Sequence, residues 1–109
     1  MSDYAAVVNH IPFGRENAVS RRMLAQQTGM TDRQVRRCIE DARRDGVFII
    51  SDQERGGYYQ TAQLNEIEYQ YRIDRARALA VLARLKPMSQ VLREAGRLKP
   101  TRKKAGRKV

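Results

Sequence analysis

Arg21-Arg-Met-Leu-Ala-Gln-Gln-Thr-Gly-Met-Thr-Asp-Arg-Gln-Val-Arg-Arg-Cys38 holds two helix signals with a turn signal between them. Leu24 and Ala25 put an apolar and a small residue where one helix would cross the next, and Gly29 follows Ala25 by four positions. A glycine suits that place because the turn needs a left-handed backbone, which a Cβ makes costly. Thr31 beyond the turn is a good N-cap, and Gln34 three residues later completes a T-x-x-Q capping box. A second helix is therefore expected from Asp32, with Met30 packing beside the turn. Ser20 offers the first helix, Arg21 to Thr28, a similar start.

The second helix reads as two faces. Val35, Cys38, Ile39 and Ala42 fall at i, i+3, i+4 and i+7, an apolar stripe that must face a core. Arg33, Arg36, Arg37, Glu40 and Arg44 point the other way. Charge on an outer helix face is ordinarily no more than a solvated surface. Here it follows a turn whose spacing matches a helix-turn-helix DNA-reading unit, and guanidinium groups can pair with phosphates or grip guanine edges bidentately.

The chain has 109 residues and a formal charge of +10 at pH 7. That length suits one domain with extensions and leaves little room for a buried catalytic cleft. Arg97, Lys99, Arg102, Lys103, Lys104, Arg107 and Lys108 supply +7 without a single acid, so residues 1–96 carry only +3. The single cysteine, Cys38, lies on the apolar stripe and reads as a small core residue. No apolar run has the length of a membrane span, and the N-terminus lacks the organisation of a secretory signal, so a cytoplasmic protein is expected.

Outward from the central motif, Tyr4, Val7, Val8 and Ile11 suit a short helix that Pro12 stops. Arg15 to Val19 reads as extended, with Val19 turned inward. Gly46 stands where the second helix should end, and Val47-Phe-Ile-Ile50 begins a β-rich run. A second such run opens at Tyr58-Tyr59 after Gly56-Gly57, so the two should pair as a hairpin across the loop Ser51 to Gly57. Arg55 is the basic residue at its tip, flanked by Asp52 and Glu54, which would resist close approach to phosphate.

Residues Leu64 to Leu85 contain no glycine or proline and predict a long helix. Ile67, Tyr71, Asp74, Ala78, Val81 and Leu85 alternate four and three apart, a heptad seam broken by one charge. Such a helix either folds back along its own domain or pairs with the same helix of a second chain. Pro87 should end it, and Ser89 should cap a short last helix through Arg97. The run from Lys99 onward reads as a disordered basic tail, which could serve solubility or attract DNA or RNA with a steep salt dependence.

Ile11-Pro-Phe-Gly-Arg-Glu-Asn-Ala-Val-Ser20, the helix pair from Arg21 to Asp45, Gly46-Val-Phe-Ile-Ile50 and Gly56-Gly-Tyr-Tyr59 together resemble the small winged helix-turn-helix proteins of bacteriophages and prophages. The likeness spans residues 4–62. It implies that Asp32 to Asp45 is a recognition helix and that Val47 to Ala62 is the wing. That group includes transcriptional regulators and replication proteins, so the resemblance implies DNA binding without naming the process. The expected fold is mainly α with a small β-hairpin, a winged helix-turn-helix followed by a long C-terminal helix. Residues 1–62 would form the DNA-binding domain, 63–97 a long and a short helix able to dimerise, and 98–109 the tail.

The leading expectation is a dimeric, sequence-specific double-stranded DNA-binding regulator of transcription, associated with a bacterial nucleoid. Arg33, Gln34 and Arg37 would meet base edges together with Thr31 at the helix start, while Arg36, Arg43 and Arg44 would meet phosphates. Arg55 would touch DNA from the wing, and Arg21, Arg22 and the tail cations Lys99, Arg102, Lys103, Lys104, Arg107 and Lys108 would add nonspecific attraction. Ile67, Tyr71, Ala78, Val81 and Leu85 would form the dimer seam. The alternative is a replication or assembly accessory that binds DNA and docks a protein partner, and a third reading is a protein-interaction module alone. An enzyme is not expected: His10 is the only histidine, no phosphate loop appears, and no metal site or cofactor is suggested.

Overall fold

The computed structural model describes residues 3–99. Four α-helices and one antiparallel hairpin follow in the order α1 (Ala5–Val8), α2 (Arg21–Thr28), α3 (Asp32–Arg44), β1 (Ile49–Ser51), β2 (Tyr58–Gln60) and α4 (Leu64–Glu94). The architecture is mainly helical, as expected, and the described chain divides into two compact units between Arg72 and Ile73.

In the first unit the local signals do what their chemistry requires. Ser20 Oγ accepts from the Met23 N–H at 3.0 Å and starts α2. At the other end Gly29 adopts φ 73° and its N–H reaches the Ala25 carbonyl at 2.9 Å, satisfying one of the helix's last carbonyls. Both halves of the capping box form at α3: Thr31 Oγ1 accepts from Gln34 N at 3.1 Å and Gln34 Oε1 accepts from Thr31 N at 2.9 Å. Two orphan donors are satisfied and the entry angle of α3 is set.

The core forms around α3. Its stripe residues Val35, Cys38, Ile39 and Ala42 are all buried, against Val7 and Ile11 from the N-terminal segment, Leu24 of α2 and Ile49 of β1. Tyr4, Val8, Val19, Ala25, Met30, Val47 and Tyr58 close the edges. Cys38 sits among apolar neighbours as the small core residue expected.

The hairpin pairs Ile49 with Gln60, Ile50 with Tyr59 and Ser51 with Tyr58. The segment ahead of α2 adds to it on the β2 side: Val19 and Tyr58 exchange backbone hydrogen bonds at 3.0 and 2.7 Å, and Gly14 and Pro12 bracket Gln60. Gly57 has φ 114° at this point, and a Cβ there would stand 3.1 Å from the Val19 carbonyl oxygen. Close approach of the two backbones therefore demands glycine.

Three expectations need correction. Arg15 to Asn17 is a 3-10 turn rather than extended chain, with only Val19 extended at its end. Strand β1 begins at Ile49, because Val47 N still bonds back to the Ala42 carbonyl at 3.0 Å to close α3. Pro87 does not end the long helix, which runs on to Glu94 with the proline inside it. Proline deprives a helix of one N–H and crowds the preceding turn, but the flanking residues are strong helix formers that carry the backbone through. Ser89 accordingly caps nothing; its Oγ donates to the Lys86 carbonyl at 3.0 Å.

Helix α4 starts on the hairpin. Gln70 is buried, and its Oε1 accepts from Ser51 N at 2.8 Å, while the Thr61 hydroxyl donates to Glu66 and accepts from Gln63 N. These bonds draw the first turns of α4 into the first unit, past the expected boundary at residue 62. In the second unit, Val81, Leu82, Leu85, Met88, Val91 and Leu92 stay exposed.

Leu24 has no exposed surface and lies in the central cluster. Leu24→Ala should lower the unfolding free energy by about 2–5 kcal/mol, measured by urea denaturation.

Candidate nucleic-acid interface

Burial of the α3 stripe leaves the opposite arc open. Arg33, Arg36 and Arg37 stand there exposed, and among the described residues none of the three is engaged in a hydrogen bond or ion pair. Arg44, further along, pairs with Asp41 at 3.0 Å and keeps most of its side chain in solvent. Thr31 and Gln34, at the start of the helix, are exposed, but each lends an oxygen to the capping box. The Gln34 amide NH₂ and the Thr31 hydroxyl proton remain as donors at this end.

Other expected contact residues are turned to structural work. Arg43 donates through Nε to the Ile49 carbonyl and through Nη2 to Ser51 Oγ, both at 3.0 Å, with Glu40 3.6 Å away. Its guanidinium ties the last turn of α3 to β1. Arg21 donates through Nε to Asp32 Oδ1 at 2.5 Å and through Nη1 to the Tyr58 hydroxyl at 3.2 Å. One side chain thereby links α2, the first turn of α3 and β2, and the contact raises the Arg21 pKa chiefly through its bond to Asp32. Asp32 also complements the positive end of the α3 dipole. Arg22 is exposed on α2.

The hairpin loop is built on Asp52. Its Oδ1 accepts from the Glu54 and Arg55 N–H groups at 3.0 and 3.2 Å, and its Oδ2 accepts from Arg15 Nε at 3.0 Å. The Asp52 backbone closes the loop through Gly56 and Gly57 at 2.8 and 2.9 Å. Asp52 is thus buried and held by Arg15, so it does not flank Arg55 as an open charge. Glu54 stays exposed but shares the same guanidinium at 2.8 Å. The Arg55 side chain is exposed in the loop.

Arg15 bonding, with help from the two loop N–H groups and against the cost of burial, holds the Asp52 carboxyl down to about 2 from 3.8. The Arg15 pKa rises for the complementary reason, its bond to Asp52. Nothing local in sequence signals this pair, which lies 37 residues apart. A cavity of about 350 Å³ opens beside it, lined by Arg15, Asp52, Glu54, Tyr59, Asn65, Glu66 and Tyr69. Its strongest charged groups already bond one another or, for Glu66, Thr61.

The tail cations Arg102, Lys103, Lys104, Arg107 and Lys108 lie outside the described residues, and Lys99 is exposed at their edge. Among the described residues no three of His, Cys, Asp and Glu gather as metal ligands, and no helix is long and apolar enough to cross a membrane. No family model, curated protein or solved structure matches the chain.

A carboxyl depressed in the folded state adds stability that is whole above its free pKa and is lost as pH falls through the folded value. Asp52→Asn should therefore lower Tm at pH 6, and its gap to the unmodified protein should close between about pH 4 and pH 2. Thermal melts across that range measure it; equal melting of the two proteins at pH 6 would show that the loop needs only the side-chain shape of Asp52.

Proposed function

We propose that this chain is a sequence-specific double-stranded DNA-binding protein that lays α3 in the major groove and regulates transcription, in the manner of the phage and prophage winged helix proteins it resembles. One observation carries the reading: Arg33, Arg36 and Arg37 form an exposed row opposite the buried stripe of α3, with no internal partner among the described residues. Arginines kept from internal pairing on a rigid helix are suited to reading guanine edges and gripping phosphate.

In this reading Arg33 and Arg37 meet bases, Gln34 adds the amide donor left over from its cap, and Arg36 and Arg44 meet phosphates. Arg22 and the exposed Arg55 add contacts on either side of the groove, while Arg21 and Arg43 act from behind by fixing α3 against α2 and the hairpin. The role is recognition, with no reaction assigned. The basic tail contributes attraction that does not depend on sequence.

Selection from a random duplex library at near-physiological salt tests the reading, with enrichment of a defined motif expected. Arg37→Ala should then cost about 1–3 kcal/mol on that motif and relax the preference at one base position. Unchanged preference would remove α3 as the reader. Truncation after Leu98 should weaken binding to all duplexes alike and flatten its salt dependence, as titrations at several salt concentrations would show.

A further inference from the structure

Among its described residues the second unit has no buried side chain, only one helix with an apolar face. Because α4 runs unbroken through Pro87, the stripe Ala78, Val81, Leu85, Met88 and Leu92 continues one heptad past the end expected for it. Val81, Leu85, Met88 and Leu92 keep 46, 47, 53 and 40% of their surface exposed. Pro87 falls on the far side of the helix, where its missing N–H and its ring leave the stripe undisturbed.

The charges bordering this stripe are of one sign. Arg75, Lys86 and Arg93 run along one edge and Arg77 and Arg84 along the other, against two acids, Asp74 and Glu94, in residues 73–94. A second copy of the chain does not answer them. In a parallel pair in register Arg77 would border the copy's Leu82 and Arg84 its Ser89; in an antiparallel pair Arg77 would border Arg84. The first sets Asp74 against its own copy in the seam, and the second brings like charges together at the border. A lipid surface fits less well, because the opposite face carries Ala76, Ala80 and Ala83 rather than the strongly polar residues that a helix lying on a membrane turns to water.

We infer that this face of α4 docks an acidic amphipathic helix of another protein, whose apolar residues cover Val81, Leu85, Met88 and Leu92 and whose carboxylates meet Arg75, Arg84 and Lys86. The partner's apolar stripe supplies the affinity and its acids supply the choice of partner. The inference rests on α4 alone and goes beyond DNA recognition; it stands or falls separately from it. In the alternative accessory reading, this helix is the element that recruits the second protein.

The test uses the full-length protein and fluorescein-labelled synthetic four-heptad helices with leucine along the seam. One carries glutamate at every seam-flanking position and the other lysine. Fluorescence anisotropy should give at least about tenfold tighter binding of the glutamate helix, since a few rim pairs worth tenths of a kcal/mol each sum to that ratio. The paired change Arg75→Glu and Arg84→Glu should reverse the preference. Leu85→Asp should abolish binding while duplex DNA binding and the thermal melt stay unchanged, because Leu85 lies outside the core cluster. Equal affinity for the two helices, or binding that survives Leu85→Asp, would overturn the inference. So would a micromolar dimer in sedimentation that the glutamate helix cannot dissociate, or displacement of that helix by phosphatidylserine vesicles.

Discussion

Everything in the first unit hangs on the burial of one face of α3. Val35, Cys38, Ile39 and Ala42 meet residues from α1, α2 and β1 at once, so a single helix organises the core. Each large apolar side chain buried there contributes about 1.5–3 kcal/mol, a sizeable share of the stability open to so small a unit. The same packing fixes which residues cannot be buried. Rotation of α3 by even one position would bring an arginine into the core, so the outward direction of Arg33, Arg36 and Arg37 is a consequence of the stripe behind them.

Around this centre the arginines divide by what stands within reach. Arg15, Arg21 and Arg43 each find two partners on other segments and become braces between them. Such braces suit arginine, whose planar fork can hold two acceptors in fixed directions. Arg21 and Arg43 clamp the two ends of α3, one toward α2 and β2 and the other toward β1. A helix held at both ends and along its buried side presents its exposed row as a rigid element, which is what a groove reader requires.

Helix α4 belongs to two environments. Its first turns are tied to the hairpin by polar bonds through Gln70 and Thr61. Beyond Arg72 the chain has an apolar stripe that the described residues of its own unit leave exposed, bordered by cations. Exposed apolar area of this kind marks an interaction surface more often than a free one, and the border decides the chemistry of what covers it.

The amino-acid sequence by itself determined the local signals: the Ser20 and Thr31 caps, the left-handed Gly29, the stripe of α3, and the pairing of the Ile49 and Tyr58 runs. Each depends on residues within a few positions of one another, where spacing and intrinsic conformation suffice. It also marked the arginines without sorting them, since a guanidinium on a helix looks the same whether it faces DNA or a carbonyl. Only the tertiary structure decided that Arg15 holds Asp52, that Arg21 joins Asp32 to Tyr58, and that Arg43 is bound to β1. Those outcomes rest on where separate segments meet once the chain has folded, which no single stretch of residues states.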